Sequence, residues 1–513
     1  MSSLLELPAE TLIDILRELP GDDILRCKQI CKTIQGLIDN DIRLQYQIRL
    51  AVNGMVDNPS CSLPTSERFE RLVAYEDAWK SPRLKDPYEL NLGGDGAWEF
   101  SCNVLAQAKD DRTILFVQLP SSIQQTPEKR WEISDIGFKI DDFSMDPDQD
   151  LLVVGESQPA AKYVLHVSTL TGDKHPLACD TGLLNWATEI EMQHPNLRIA
   201  GDYVGVGFDS PDIDLPSELV VWNWKTGQIH LALRGPHLSV YSFLTLDRII
   251  VLEMNDGVYF RPTGLRIVSF STPALEFKDI DEASYDCCFG LPEVEDDEDD
   301  GTPLEYIQLR SEPSPFASSR INPTTPFRVD TDKRIFALTF VLMDSISISD
   351  DDHQNTTLLI SGERLTERLK SIQAEEGRRI LWDDWGLTDC SIFVNIEGYD
   401  DSWVCNVYGT RLINRSLPDS GPYVLDCNKF ACQRASTLPV DGDAWSLREK
   451  EEARDGGWFS RELSDASLPV LQHKSLPMNT ITRYEAAILN EQNIVIIVDS
   501  QSPTTQYCVA SLY

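Results

Sequence analysis

The chain is short of basic residues for its size. Its 513 residues hold 45 Lys and Arg against 83 Asp and Glu, a net charge of −38. Such a field repels phosphate backbones and anionic lipid surfaces, so neither nucleic acid nor membrane is an expected partner. No apolar run approaches the roughly 18 residues that a membrane helix needs. The N-terminus lacks a basic stretch and turns acidic at Glu6, so no secretory leader is expected and the sequons at Asn355 and Asn414 should stay unused. None of the twelve cysteines forms Cys-x-x-Cys, a distribution that fits reduced thiols in a cytoplasmic or nuclear protein. Missing too are Gly-x-Ser-x-Gly, a phosphate loop ending in Gly-Lys-Ser/Thr, and His-Glu-x-x-His. The seven histidines do not pair at ligand spacing, and Gly205-Val206-Gly207 lacks the third glycine of a dinucleotide site. No catalytic residue, cofactor or metal ligand is therefore expected, although acids brought together by folding cannot be read from a sequence.

What is present begins at once. Leu7-Pro8-Ala9-Glu10 reads as a helix start, with proline where its missing N–H costs nothing and an anion in the first turn. Leu12, Ile15, Leu16 and Leu19 then mark one apolar face before Leu19-Pro20-Gly21 stops the helix. Asp22 or Asp23 is the expected N-cap of a second helix carrying Cys27, Ile30, Cys31, Ile34, Leu37 and Ile38. A third segment runs from Asn40-Asp41 to Leu50 and ends at Asn53-Gly54. Three short helices cannot bury this much apolar surface among themselves, so it must pack on the rest of the chain or on a partner. Residues 1–50 hold eight acids and six bases, which leaves nearly all the negative charge to the remainder.

Leu-Pro-x-Glu, an apolar helix, Leu-Pro-x-Asp, then Cys-Lys-x-x-x-x-Leu-Ile resembles the F-box family, over about a tenth of the chain. The resemblance implies docking on the Skp adaptor and, through it, cullin, with Leu7, Pro8, Ile13, Leu16, Leu25, Cys31, Ile34 and Leu37 as adaptor contacts. Ile34 stands where many F-boxes carry an aromatic. A proline-containing linker (54–66) precedes a helix starting at Thr65 or Ser66, with Phe69, Leu72, Val73, Glu76 and Trp79 at helical spacing and a stop at Ser81-Pro82. It either stiffens the junction or plugs the end of the body.

Beyond residue 90 the period becomes strand-like, with runs such as Ile114–Leu119, Leu151–Val154, Leu219–Trp224, Ile335–Leu342 and Ile494–Val498 between turn residues. Tyr163–Gly172 rhymes with Glu218–Gly227, the turn glycines lying 227 − 172 = 55 residues apart. A multi-strand repeat of that length is a propeller signature. Trp382-Asp383-Asp384-Trp385-Gly386 and Val407-Tyr408-Gly409-Thr410-Arg411 resemble motifs of fungal F-box proteins with large β-rich regions. The acidic run 293–300 reads as a solvated loop, and Glu363–Glu376 as a helix whose Arg364 and Arg368 are neutralised by neighbouring acids.

The expected fold is multidomain, α plus all-β. An F-box three-helix unit (1–53) and a linker with a helix (54–89) precede a propeller-like domain (90–513) of six to eight irregular blades. Insertions fall near 285–330 and 440–480, and tandem β-sandwiches are the alternative. By the resemblance, the chain is a non-catalytic substrate receptor of a Skp–cullin–F-box ubiquitin ligase holding an unknown protein substrate. The alternatives are an adaptor-bound scaffold outside the ligase and an F-box fused to an unrecognised enzyme.

Overall fold

The structure is a computed structural model. It describes residues 4–80, 85–159, 162–188, 193–209, 216–255, 262–274, 276–292, 304–316, 323–342, 354–372, 377–395, 406–414, 422–437, 445–447, 468–473, 484–498 and 504–512.

Four helices form the N-terminal unit: α1 (Ala9–Arg17), α2 (Gly21–Cys27), α3 (Lys32–Asn40) and α4 (Ile42–Val52). The single second helix expected from the sequence is thus two. The chain turns at residues 28–30, and Cys31 is extended as the N-cap of α3. Spacing hides this break because both helices feed one core of Leu16, Ile24, Ile34, Ile38, Leu44 and Ile48. Pro20 caps α2, and Asp22 and Asp23 stand in its first turn instead. Asp41 caps α4 by accepting from the amides of Arg43 (2.9 Å) and Leu44 (3.0 Å), and pairs with Arg17 at 2.7 Å. Burial pushes its carboxyl up, but the amides and Arg17 outweigh it and hold the group below its usual range.

The body is a seven-bladed β-propeller. Blades one to three start at inner strands Trp98–Ser101, Asp142–Asp146 and Gln193–Ala200. Blades four to seven start at Tyr241–Thr245, Leu304–Arg310, Val407–Tyr408 and Tyr484–Leu489. The ring closes by exchange between the two ends of the domain. Blade seven takes three strands from residues 484–511, and its outermost strand is Lys85–Asn91, paired antiparallel with Gln506–Ser511. Pro87 is tolerated there because an edge strand does not need every N–H.

The middle strands of the blades, such as Val104–Ala108 and Ser217–Asn223, are buried on both faces, which explains the unbroken apolar runs, while outer strands such as Lys129–Ile133 are largely exposed. In Ser217–Asn223, Val220 and Trp222 enter the core between blades two and three, while Leu219 and Val221 enter the one between three and four. The rhyming segments are the third strands of consecutive blades, Lys162–Ser168 and Ser217–Asn223. The window 285–330 is not one insertion, since it contains the fourth strand of blade four (Cys287–Gly290) and the inner strand of blade five. The excursion proper is a strap between the first two strands of blade five, described at residues 311–316 and 323–334. Much of 440–480 and the whole acidic run 293–300 lie outside the described residues.

Candidate functional site

Among the described residues, ten large apolar side chains are exposed, and six of them fall within residues 4–42: Leu4, Leu5, Leu7, Ile15, Ile30 and Ile42. Ile30 is the most open at 71 %. Such side chains in so short a stretch are the mark of an interaction surface. The eight residues singled out from the sequence divide into three groups. Leu7 and Pro8 are exposed. Ile13, Leu25, Cys31 and Leu37 are half-buried at the edge of the helical core, while Leu16 and Ile34 are buried inside it and present no open surface. Spacing alone missed Leu4, Leu5 and Ile42, which lie at helix ends and belong to no periodic stripe, while Ile30 stood in the stripe expected of the second helix but was not singled out as a contact.

The other end of this unit is built into the propeller. Helix α5 (Thr65–Lys80) buries Leu72, Tyr75 and Trp79 in a single core with Tyr46 and Leu50 of α4 and with residues of blades six and seven. Arg411 fixes the helix: its guanidinium stacks 4.0 Å over Trp79, donates to Tyr75 Oη (2.7 Å) and pairs with the buried Asp426 (3.0 Å). Burial pushes the Tyr75 phenol up to about 12, partly offset by Arg411. The Trp79 indole donates to the Glu491 carbonyl at 3.1 Å. Burial of Glu76 is outweighed by Lys80, Arg49 and Arg434, which hold its carboxyl below the usual range.

A second tie comes from the strap. Strand β1 (Met55–Asp57) pairs antiparallel with Phe327–Val329, so Met55 faces Val329 and Asp57 faces Phe327. Asn58 adds a side-chain bond to the Thr325 carbonyl at 2.7 Å, and Asp22 on α2 meets Lys429 of the propeller at 3.1 Å. Gly409, at φ +61, lets the blade-six turn lie against the strap, because a Cβ there would stand 2.9 Å from Val329 Cγ1. The Val407–Arg411 motif thus has a use: its turn abuts the strap and its arginine clamps α5.

Residues 4–51 match the F-box-like family model. The N-terminal unit is an F-box-like domain. No curated protein sequence matches the chain. Among solved structures, the WD40 domain of SCAP from fission yeast is 7 % identical, with 84 % of this chain and 98 % of that one covered at a TM-score of 0.32. BamB from Moraxella catarrhalis is 8 % identical, covering 83 % and 99 % at 0.32. The uncharacterized protein lmo1340 from Listeria monocytogenes is 8 % identical, covering 68 % and 81 % at 0.31. Likeness at this level carries no argument, and the seven blades are read from the sheets themselves.

Away from the F-box-like domain, other sequence candidates resolve into packing. Arg364 and Arg368 of α6 (Gly362–Ser371) both contact the buried carboxylate of Asp389, and Arg379 pairs with Glu253. They are neutralised, but by Asp389 and Glu253 from outside that stretch and not by the acids within it. Trp382 and Trp385 lie on α7 (Trp382–Asp389), not on a strand, and fill the core between blades four and five. Cys287 and Cys288 are buried, and burial raises both thiols to about 12, so neither is poised to react. One cluster escaped the sequence. Ligand atoms of Cys102, Asp146 and Asp148 come within 4.8 Å of one another, but the Arg328 guanidinium already contacts Asp148 and lies 3.2 Å from Cys102 Sγ. The strap thus supplies the positive charge that these groups attract. No helix among the described residues is long and apolar enough to cross a membrane.

Proposed function

We propose that this chain is the substrate receptor of a Skp–cullin–F-box ubiquitin ligase. The observation that carries the reading is a contrast within the N-terminal region. Its first helices and turns expose Leu4, Leu5, Leu7, Ile15, Ile30 and Ile42. The segments that follow, α4, α5 and β1, are merged with the propeller core. An adaptor covering the exposed side chains would gain roughly 1–2 kcal/mol per well-exposed leucine or isoleucine.

In this reading the chain contributes no catalytic group. It holds a target protein at a set distance from the ubiquitin donor, and the acceleration comes from proximity. A two-point attachment of the F-box-like domain suits that task, since a slack joint would dilute the effective concentration. The capture surface is the propeller, on the side away from the F-box-like domain. Such a complex would work in the cytoplasm or the nucleus.

The test is co-purification from a native lysate with wild type and a Leu7→Ala/Pro8→Ala double variant. Recovery of a Skp-type adaptor and cullin by wild type alone supports the receptor reading. Adaptor without cullin would point to a scaffold outside the ligase, and recovery of neither would remove the proposal.

A further inference from the structure

A cavity of about 70 Å³ is walled by the inner strands of blades one to three and by residues 312–316 of the strap. At 10–15 Å³ for each ordered water, it has room for roughly five, comparable to the head of a long side chain. Three carboxylates line it, from Glu99, Asp146 and Glu312, together with Arg198 and Arg328. Among the described contacts neither arginine pairs with Glu99. Arg328 is held by Asp148 and stacks on Phe316, while Arg198 donates to the Leu309 carbonyl (3.1 Å) and lies over Tyr241.

Glu99 is the unusual member. Its Oε1 accepts from the Ser144 hydroxyl at 3.1 Å, and its Oε2 is sealed from solvent with no hydrogen-bond partner. Burial first, then the charge of Glu312, pushes its carboxyl well above the usual range. Asp146 is raised by burial and by Asp148. A buried carboxylate without a cation is a costly arrangement, and one delivered from outside relieves it. Glu99 is the second residue of the strand Trp98–Ser101, which turns at Cys102-Asn103.

We propose that this cavity receives the cationic head of a lysine or arginine side chain from a captured protein, with Glu99 as its ion-pair acceptor. The proposal rests on the receptor reading and names the chemistry of its partner, a basic segment. The chain's net charge of −38 would steer such a segment toward it. A bare metal ion fits less well. Among the described residues the one group of three close ligand atoms is Cys102, Asp146 and Asp148, where Arg328 already stands.

The experiment uses the full chain and two probes, N-acetyl-arginine amide and its neutral isostere N-acetyl-citrulline amide, with binding followed by ligand-observed NMR. Wild type should prefer the arginine probe at least about tenfold, the scale of a desolvated charge pair. Glu99→Gln should remove that preference at an unchanged melting temperature, and Glu312→Gln should weaken it. Glu282→Gln, at an exposed position on the outer side of the blades, should leave it intact. Equal binding of the two probes, an unaffected Glu99→Gln, or an equal loss with Glu282→Gln would each overturn the site. If Glu99→Gln does not fold, Glu312→Gln against Glu282→Gln decides. Adaptor binding is measured on the same samples. Loss of the arginine probe with adaptor retained faults the cavity alone, whereas loss of adaptor with the probe retained faults the receptor reading alone.

Discussion

Replacing Trp79 by alanine should release the linker helix while leaving both the blades and the F-box-like core standing. Trp79 is 4 % exposed, donates its indole N–H to the Glu491 carbonyl and carries the Arg411 guanidinium on its face. Truncating a buried aromatic of this size costs about 3–5 kcal/mol, including the lost stacking of a desolvated cation. Arg411 keeps Asp426 and Tyr75, so no unpaired charge is added to that cost. At 1.36 kcal/mol per factor of ten, opening of α5 becomes two to nearly four orders of magnitude more frequent. Hydrogen exchange of the full chain reads this directly, as faster exchange in residues 65–80 and in β1, with blades two to four unchanged. Adaptor affinity should stay within about twofold, because the core that supports the exposed face does not include Trp79. Unchanged exchange in α5, or acceleration spread evenly over blades that Trp79 never touches, would refute the two-point attachment.

Leu16→Ala should cost about 2–5 kcal/mol of stability in the F-box-like domain, whereas Ile30→Ala should leave its melting unchanged and weaken adaptor binding roughly tenfold. Thermal unfolding and calorimetry on the same two proteins check this opposite pattern. Asp41→Ala removes the α4 cap and the Arg17 pair, and should lower stability by about 1–2 kcal/mol. Burial raises the Asp142 carboxyl from 3.8 to about 7. The folded chain thus holds this proton more tightly than the unfolded one, and stability from this group falls as pH rises from about 4 to 7. Asp142→Asn should gain on wild type over that window, by up to about 4 kcal/mol, and level off above it. A melting-temperature difference that is flat between pH 5 and 8 would show that the carboxylate is compensated.

The F-box resemblance and the propeller were legible because each rests on a local pattern. Leu-Pro-x-Glu starts a helix by backbone chemistry, and Leu219–Trp222 reads as a strand buried on both faces. The break at residues 28–30 was not legible, because no proline or glycine marks it and the apolar spacing survives the turn. Leu16 and Ile34 satisfy the same spacing as contact residues, yet packing places them inside. The strap was hidden for another reason. Its pairing joins Met55 to Val329, and the cavity joins Glu99 to Glu312, partners that no local pattern relates. Val407–Arg411 was visible as a motif, but its use depends on a helix more than 300 residues earlier.

Receptor function requires that the exposed side chains of the F-box-like domain bind a Skp-type adaptor. Calorimetric titration of a purified adaptor into the full chain, as wild type and as a Leu7→Ala/Ile15→Ala/Ile30→Ala variant, measures it. Wild type should bind one-to-one, and the variant should lose about 3–5 kcal/mol, two to four orders of magnitude, at an unchanged melting temperature. No binding by wild type, or equal binding by the variant, would contradict the receptor reading.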